Sequence, residues 1–460
     1  MLEKNQLHDI LSVCVSTGGD FAEIFEERTI SNRYSLLNGK VENANSGIVY
    51  GVGIRIYHEN ESVYAYSNDT TIDNLLKMAK DLSQSFNYEK KEISFELKEV
   101  EYENAHKILI DPTTISSETK IEIAKKAANA ALEYDEVIQK VMVGYWDEKQ
   151  EVAISNTLGK YVRDTRVRTR LSIQAIAMHE GKMETGFYGP GASKGLEFYE
   201  EIDPAKAGQE AARIAKTMLF ADECPSGTMD VIIDNGFGGV IFHEACGHSL
   251  EASSVAKGQS VFSGKIGQKI ASEKVSAVDD GTIPNAWGSS NVDDEGNFTK
   301  RNLLIENGIL KGYMIDTLNG RRMNMPSTSN SRRQSYKYET TSRMTNTFIL
   351  NGEDNLEDMI KDTQYGLYCK SMSGGSVDPS TGDFNFSVQE GYLIIDGVIT
   401  KPVKGASLIG NGSQTLLKID RVANNLKRAQ GMCGSSSGSI PADVGQPAIR
   451  VKEMIVGGRD

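Results

Sequence analysis

The stretch GFGGVIFHEACGHSLE at residues 236–251 decides how the second half of the chain must fold. Within it, His243 and His248 flank Glu244, and the whole chain contains only 6 histidines. In the motif H-E-x-x-H the two histidines are four residues apart, so one turn of helix directs both at the same metal ion. The spacing here is one residue longer. A metal site at this position therefore requires a helix of altered geometry.

The spacing of His243 and His248 leaves three structural alternatives open. On a regular α-helix, five residues span about 500°, so the two side chains would point about 140° apart. A one-residue π-bulge would bring them back into line, and such bulges are frequent at functional sites. Alternatively, Gly247 would let the helix unwind so that His248 swings back. The third alternative is two unrelated histidines, one capping the helix and one buried. We favour the π-bulge.

A catalytic metal site needs a third protein ligand, and the cysteines are the most informative candidates. Cys433 lies in GMCGSSSG, where the flanking glycines allow close backbone approach. Cys369 lies in a predicted strand, YGLYCKSM, and is expected to be buried. Cys246 is too close to both histidines along the chain to share their ion, so we expect a small apolar filler there. Carboxylates are too numerous to single one out.

The hydrophobic pattern changes near residues 220–228. Before this point, residues 21–68 alternate like a strand meander, helices are predicted at 70–86, at 116–134 and from Asp203-Pro204, and strands fill most of 137–178. After the turn Pro225-Ser226-Gly227, short strands and glycine-rich turns dominate, with one helix at the motif and one near residues 355–366. The sequence predicts an α+β fold with two domains. They are an N-terminal α/β sandwich-like domain (1–222) and a mainly β C-terminal domain that carries the motif helix (223–460).

Composition narrows the class of protein. The net charge of −13 and the pI near 5.2 argue against a nucleic-acid partner, because an acidic surface repels phosphate. The 5 cysteines form no C-x-x-C pair, which favours a reducing compartment. No stretch approaches the ~20 apolar residues of a membrane span, and the N-terminus is typical of a short amphipathic helix. We therefore expect a cytoplasmic protein with no membrane partner.

Several motifs occur together and in a fixed order. HEACGHSLE is followed by VDDEGNFTKRNLLIENGILKGYMIDTLNGRRM, NSRRQSY, MTNTFIL, KPVKGASLIGNG and GMCG. In this set and order the chain resembles the TldD/PmbA family of metallopeptidases over essentially its whole length. The resemblance is to the TldD branch, because the PmbA (TldE) branch typically lacks the H-E-x-x-x-H motif.

This resemblance implies a site and an activity. It implies zinc held by His243, His248 and Cys433, with Glu244 as the general base of a peptidase that acts on unfolded peptides. It also implies a cytoplasmic, two-domain protein that forms a homodimer or pairs with a metal-free PmbA/TldE-type paralogue. The alternative is a non-catalytic regulator or adaptor in which zinc only stabilises the domain. This alternative is considered because relatives have been linked to modulation of DNA gyrase. Structural zinc sites usually have four protein ligands, and only three are evident here, which favours catalysis.

Two further groups of charged residues have more than one explanation. Arg332 and Arg333 could bind the substrate, for example its carboxylate, although ion pairs with the many acidic residues are the favoured explanation. Asp293, Asp294 and Glu295 could form an acidic metal cluster. We instead favour a solvated turn or a contact behind the metal ligands.

Overall fold

The computed structural model describes residues 1–89, 93–378 and 380–458. The strands of the first half are β1 (Phe21–Leu37), β2 (Lys40–His58), β3 (Glu61–Ser67), β4 (Lys98–Glu99), β5 (Ile138–Asn156), β6 (Lys160–His179), β7 (Lys182–Tyr188) and β8 (Gly191–Ala192). Its helices are α1 (Lys4–Cys14), α2 (Ile72–Ser83), α3 (Ser117–Leu132), α4 (Phe198–Glu201) and α5 (Pro204–Leu219), with a 3₁₀ turn at Pro112–Thr114.

The eight strands form one twisted sheet in the order β3-β2-β1-β5-β6-β4, with β7 and β8 also paired to β6. The predicted meander is confirmed. It turns at Asn38-Gly39, where both residues have positive φ (48° and 75°), as a two-residue hairpin turn requires. The alanine-rich α3 and α5 pack together on the sheet because small side chains allow close approach. Helix α5 begins as predicted, with the Asp203 carboxylate accepting from the Ala205 N–H.

The second half contains many short elements. Its strands are β9 (Asp222–Glu223), β10 (Gly227–Ile233), β11 (Ala277–Asp280), β12 (Arg301–Glu306), β13 (Ile309–Leu310), β14 (Ser331–Arg332), β15 (Thr341–Ser342), β16 (Asn346–Ile349), β17 (Tyr365–Val377), β18 (Asp383–Ile395), β19 (Val398–Lys404), β20 (Ser407–Asn411), β21 (Ile419–Val422), β22 (Lys427–Ser435), β23 (Gly438–Gln446) and β24 (Ile449–Gly457). Its α-helices are α6 (Val240–Phe242), α7 (Ala252–Val255), α8 (Thr317–Met323), α9 (Leu356–Lys361) and α10 (Gly412–Thr415).

These strands form two further sheets and one two-stranded ribbon. In the first sheet, β17 pairs both β10 and β18, so the path β17-β10-β24-β20-β18 closes on itself as a barrel. The second sheet runs β13-β12-β11-β16-β23-β22, and β22 is its edge strand. The ribbon pairs β14 with β15. The main hydrophobic core lies between the barrel, the motif helix and the second sheet. The α+β class and the mainly β second half are confirmed.

The expectation of only two helices in the second half was wrong. The structure adds short helices, including α8 and α10. These helices are four to seven residues long, which is too short for a 3.6-residue hydrophobic period to show in the sequence.

Buried ion pairs join the two halves of the chain. Arg55 of β2 donates to Glu295 at 2.8 Å, and Arg166 of β6 donates to Asp294 at 2.6 Å. Asp293 accepts backbone N–H groups within its own turn. All three acidic residues at 293–295 are buried, so the solvated turn, one of the two interpretations favoured from the sequence, was wrong. The other, a contact behind the metal ligands, does not match these hydrogen bonds either, because none of them reaches a predicted ligand. The three acidic residues are part of the contact between the halves.

Candidate metal centre

The motif lies on one continuous helical segment that changes type along its length. It runs as a 3₁₀ turn at Gly236–Gly239, helix α6, a π-helical turn at His243–Gly247, and a 3₁₀ turn at His248–Leu250. The N–H of His248 donates to the carbonyl oxygen of His243, which is the five-residue hydrogen bond of a π-helix. The predicted π-bulge is confirmed. It realigns the two histidines, whose rings are perpendicular with centroids 5.1 Å apart.

Glycines let the neighbouring strand β23 and helix α10 approach the motif helix closely. A Cβ on Gly239 would lie 2.4 Å from the backbone nitrogen of Gly445 in β23. A Cβ on Gly412 would lie 2.1 Å from the carbonyl oxygen of Ala245. Because β23 is held directly against the helix, its hairpin partner β22 brings Cys433 over the two histidines.

His243, His248 and Cys433 converge on one point. The Cys433 Sγ lies 3.3 Å from Nε2 of His243 and 3.3 Å from Nε2 of His248, across 185 residues of chain in the second case. All three ligand atoms lie within 4.8 Å of one another. With bonds of about 2.0 Å to nitrogen and 2.3 Å to sulfur, a tetrahedral zinc site separates sulfur from nitrogen by about 3.5 Å. The atom types and the two sulfur–nitrogen distances therefore fit a zinc ion.

The electrostatics of the three side chains suit a thiolate. Burial disfavours ionisation of Cys433, but the charges and hydrogen bonds of His243 and His248 outweigh it and lower the pKa of this thiol to about 3. Burial likewise disfavours the charged form of His248, yet Glu251 and Cys433 raise the pKa of its imidazole well above the ordinary range. A thiolate between two imidazoles is a donor set that soft-to-borderline divalent metals prefer.

Two carboxylates flank the His248 ring on opposite sides. Glu244 Oε2 lies 3.6 Å from Nε2, the nitrogen that faces Cys433, and its side chain is 25% exposed. Glu251 Oε2 lies 3.2 Å from Nδ1, on the far side, and is buried. A proton on Nδ1 that is donated to Glu251 would make Nε2 the nitrogen that binds a metal. The sequence reasoning missed Glu251, although its position three residues after His248 is a usable signal on a helical turn.

Arg343 connects this carboxylate to the third ligand. Its fully buried guanidinium donates to the carbonyl oxygen of Cys433 at 2.6 Å, and its Nε lies 3.7 Å from Glu251 Oε1. It also donates to the Ser437 Oγ and the Gly438 carbonyl at the turn of the β22–β23 hairpin. Nothing in the sequence around Arg343 indicated this contact, because it joins segments that are remote along the chain.

The other predicted residues are placed away from the ligand atoms. Cys246 and Cys369 are both fully buried in the main core, as expected for apolar fillers. Arg333 donates to Glu23 at 2.9 Å and stacks on Phe25, so for this residue the structure shows the ion pair that was the alternative to substrate binding. Arg332 forms no such ion pair among the described residues; its Nη1 donates to the carbonyl oxygen of Met344.

Models of one family match three consecutive parts of the chain. They are described as PmbA/TldA metallopeptidase domain 1 (residues 22–85), central domain (110–219) and C-terminal domain (226–458). The chain belongs to the PmbA/TldD metallopeptidase family. The motif helix and Cys433 both fall in the part that matches the C-terminal domain.

Curated relatives of this PmbA/TldD family member are named as metalloproteases. A "Metalloprotease TldD homolog" of Haemophilus influenzae is 36% identical, covering 99% of this chain and 97% of the relative. A protein of the same name from Buchnera aphidicola is 35% identical, covering 95% and 93%. A metalloprotease of Methanocaldococcus jannaschii is 33% identical over 98% and 99%. The protein is thus a metallopeptidase, a hydrolase that acts on peptide bonds.

Solved structures share the PmbA/TldD fold at low identity. TldE of Thermococcus kodakarensis superposes with a TM-score of 0.77 at 18% identity, covering 98% of this chain and all of its own. A Thermotoga maritima protein, described as a candidate modulator of a DNA gyrase, gives 0.80 at 22%, covering 98% and 99%. Within the described residues, no helix has the length and apolar character needed to cross a bilayer.

Proposed function

We propose that this metallopeptidase is zinc-dependent and cleaves unfolded peptides, with His243, His248 and Cys433 as the zinc ligands and Glu244 as the general base. The observation that carries the proposal is the convergence of three ligand atoms within 4.8 Å beside a partly exposed carboxylate. When bound in such a site, zinc polarises a peptide carbonyl and lowers the pKa of water to about 7.

The side chains of the chain have separate tasks in this reaction. Glu244 lies on the ligand side of His248, where it accepts a proton from the attacking water and later donates it to the leaving amine. Glu251 holds His248 in one tautomer and one orientation from the opposite side. Arg343 holds strand β22, which carries Cys433, beside the two histidines through its hydrogen bond to the Cys433 carbonyl oxygen. The two carboxylates therefore differ in role because they contact different nitrogens of one ring.

A purely structural zinc site fits these residues less well. Closed structural sites have four protein ligands, whereas the described residues bring together three, and Glu244 is left free of strong hydrogen bonds beside them. The adaptor alternative rests on names given to structures of other proteins with the same fold, each under 25% identical to this chain.

The assembly and location belong to the same proposal. We propose that the chain forms a homodimer or pairs with a metal-free PmbA/TldE-type paralogue; the shared fold with a TldE supports a pseudo-symmetric pair. The described cysteines are all free and buried, which supports a reducing, cytoplasmic location. The division into domains at residues 222 and 223 is also proposed, at the short β9 that follows α5.

The test is zinc content and peptide turnover measured together. The full chain, alone and with its paralogue, is assayed for zinc per chain and for cleavage of β-casein, which is unfolded. For Glu244→Gln we expect unchanged zinc and turnover reduced by about 100-fold or more, because a general base contributes about 10²- to 10⁴-fold. For Cys433→Ser we expect loss of zinc and of turnover.

The matched control is Glu273→Gln, which removes an exposed carboxylate elsewhere in the same half. It should leave both readings at the parent level. Full activity in Glu244→Gln would remove this residue from the mechanism. Zinc binding without turnover, even with the paralogue present, would favour the adaptor.

A further inference from the structure

A cavity of about 520 Å³ lies between the two halves of the chain. Strands β1, β5 and β6 form one wall, and residues 290–294, 332–338 and 439–441 form much of the other. Met432 also lines it, and Met432 directly precedes Cys433 on strand β22. The cavity therefore reaches the strand that carries a predicted metal ligand.

Arg332 faces this cavity without an anionic partner. It is only 7% exposed, and its Nη1 donates to the carbonyl oxygen of Met344 at 2.6 Å. Among the residues that the structure describes, no carboxylate lies within the 4.0 Å of an ion pair with it. Burial and the neighbouring charge of Arg168 lower the pKa of Arg332 to about 9, so it remains a cation at neutral pH. A buried charge without a partner is unfavourable, so this position favours the binding of an anion.

The cations around Arg332 add to this charge. Arg168 lines the same cavity, is 3% exposed, and reaches Glu148 only at 3.7 Å. Arg166 is also near, but Asp294 neutralises it at 2.6 Å. Glu148, which also lines the cavity, partly offsets Arg168, so the positive charge left over is centred on Arg332, with Arg168 beside it.

Four carboxylates line the cavity, and each already has a partner: Glu148 lies 3.7 Å from Arg168, and the other three accept hydrogen bonds. Each of three accepts hydrogen bonds from groups in its own surroundings: Glu27 from Thr29 and Gln150, Asp293 from the N–H groups of Glu295 and Asn297, and Asp294 from Arg166 and the Arg333 N–H. A ligand that enters the cavity therefore meets an uncompensated guanidinium beside acids that are already satisfied. The complementary ligand is an anion with two acceptor oxygens.

We propose that this cavity is a subsite for a carboxylate of the peptide substrate, bound by Arg332 with Arg168 beside it, and that the carboxylate is the peptide's C-terminus. The inference rests on the proposed peptidase function and deepens it. A planar guanidinium binds a carboxylate through two parallel N–H···O bonds. The C-terminus is the carboxylate that every peptide carries whatever its side chains, so it suits an enzyme that acts on unfolded peptides of varied sequence. The enzyme then cleaves preferentially near the C-terminal end of its substrate.

The test measures binding rather than turnover. Zinc-loaded Glu244→Gln protein is titrated calorimetrically with three N-acetylated tetrapeptides: tetra-alanine with a free C-terminal carboxylate, the same peptide as its C-terminal amide, and the amide with glutamate as the last residue. We expect the free acid to bind at least tenfold more tightly than the alanine amide. We expect Arg332→Gln to abolish this difference and Arg332→Lys to retain part of it. The glutamate amide should bind like the alanine amide.

The outcomes separate the subsite from the peptidase function. The subsite would be overturned if the protein that keeps Arg332 bound the free acid and the alanine amide equally tightly. It would also be overturned if Arg332→Gln kept the preference for the free acid. Tight binding of the glutamate amide would overturn the assignment to the chain terminus. Because binding does not need catalysis, an enzyme that never cleaves peptide but still prefers the acid would refute the peptidase function and leave the subsite in place.

Two controls keep the comparison interpretable. Arg28→Gln removes an arginine that is 43% exposed and outside the cavity, and it should leave the acid preference intact. Thermal unfolding of each variant checks that it is folded. If Arg332→Gln does not fold, the acid and amide affinities of the Arg332 and Arg332→Lys proteins decide.

Discussion

The guanidinium of Arg343 donates a 2.6 Å hydrogen bond to the carbonyl oxygen of Cys433, 90 residues further along the chain. The same guanidinium lies 3.7 Å from Glu251, the carboxylate that holds His248. One buried side chain therefore links the strand that carries the thiol to the helix that carries the imidazoles. The distance between these ligands depends on it.

Replacing Arg343 should weaken metal binding without removing a ligand. We expect Arg343→Gln to reduce zinc affinity by about 10- to 100-fold, the usual effect of losing a group that orients a ligand. Competition with a chromophoric chelator measures the affinity. Arg421→Gln is the control, because Arg421 pairs with Asp354 and Asp362 away from the hairpin. A folded Arg343→Gln protein with parental affinity would show that the hairpin keeps its position unaided.

The two carboxylates beside His248 should separate metal binding from catalysis. We expect Glu251→Gln to weaken zinc binding by about 10-fold or more, because an amide holds Nδ1–H less strongly than a carboxylate does. Glu244→Gln should leave zinc affinity nearly unchanged and remove turnover. Both variants carry the same chemical change on either side of one ring, so each is the control for the other. The opposite pattern would exchange their roles.

The contact between the motif helix and β23 should tolerate no added methyl group. A Cβ at Gly239 would lie 2.4 Å from a backbone atom of Gly445, and backbone does not rotate away. We expect Gly239→Ala to lower the free energy of unfolding by about 1–3 kcal/mol, as overpacking generally does. Gly434 lies beside Cys433 with open space around it, so Gly434→Ala should change the free energy of unfolding by less than about 0.5 kcal/mol. Denaturant unfolding distinguishes the two.

The ion pair between Arg213 of α5 and Glu390 of β18 should make the free energy of unfolding depend on pH in the acid range. Burial raises the pKa of Glu390, but the Arg213 and Tyr392 hydrogen bonds outweigh it and hold the pKa below its ordinary value. A lowered pKa in the folded state contributes stability above the unfolded value of about 4.3, and this stability is lost as the pH falls further. We expect Glu390→Gln to cost about 2 kcal/mol at pH 7.

The pH profile provides the check on Glu390. The difference in unfolding free energy between parent and Glu390→Gln should be constant from about pH 6 to pH 8 and should shrink as the pH falls below about 4. Glu210 makes the other contact to Arg213 but is more exposed, so Glu210→Gln should cost less. A difference that grows toward acid pH would contradict the assignment.

The sequence was most informative where a local rule was broken. The five-residue spacing of His243 and His248 conflicts with an α-helix, and only a local rearrangement resolves the conflict; the π-turn is that rearrangement. The flanking glycines made Cys433 a candidate ligand, and the resemblance to a family then singled it out. Arg343 could not be predicted, because its partners are brought near only by the packing of β23 on the helix.

The acidic run at residues 293–295 shows the opposite case. Three consecutive acids in a glycine-containing turn are normally solvated, and a sequence carries no sign that another sheet will cover them. Their partners, Arg55 and Arg166, lie more than 120 residues earlier. Burial of this kind is decided by how two sheets meet, which local patterns do not encode.

The same ion pairs have a consequence for fragments of this protein. Every predicted metal ligand lies after residue 240, so the second half alone contains all of them. Without the first sheet, however, Asp294, Glu295 and Arg333 would each lose the opposite charge that they contact across the boundary. The loss of the sheet would also expose Val292 and Tyr336, which pack against Phe25, Val152 and Ile154 on it. A truncated second half would therefore carry unpaired charges beside exposed apolar side chains, and it should be unstable and prone to aggregate. Shortening the gene from its 5′ end should therefore inactivate the enzyme well before the deletion reaches the histidines.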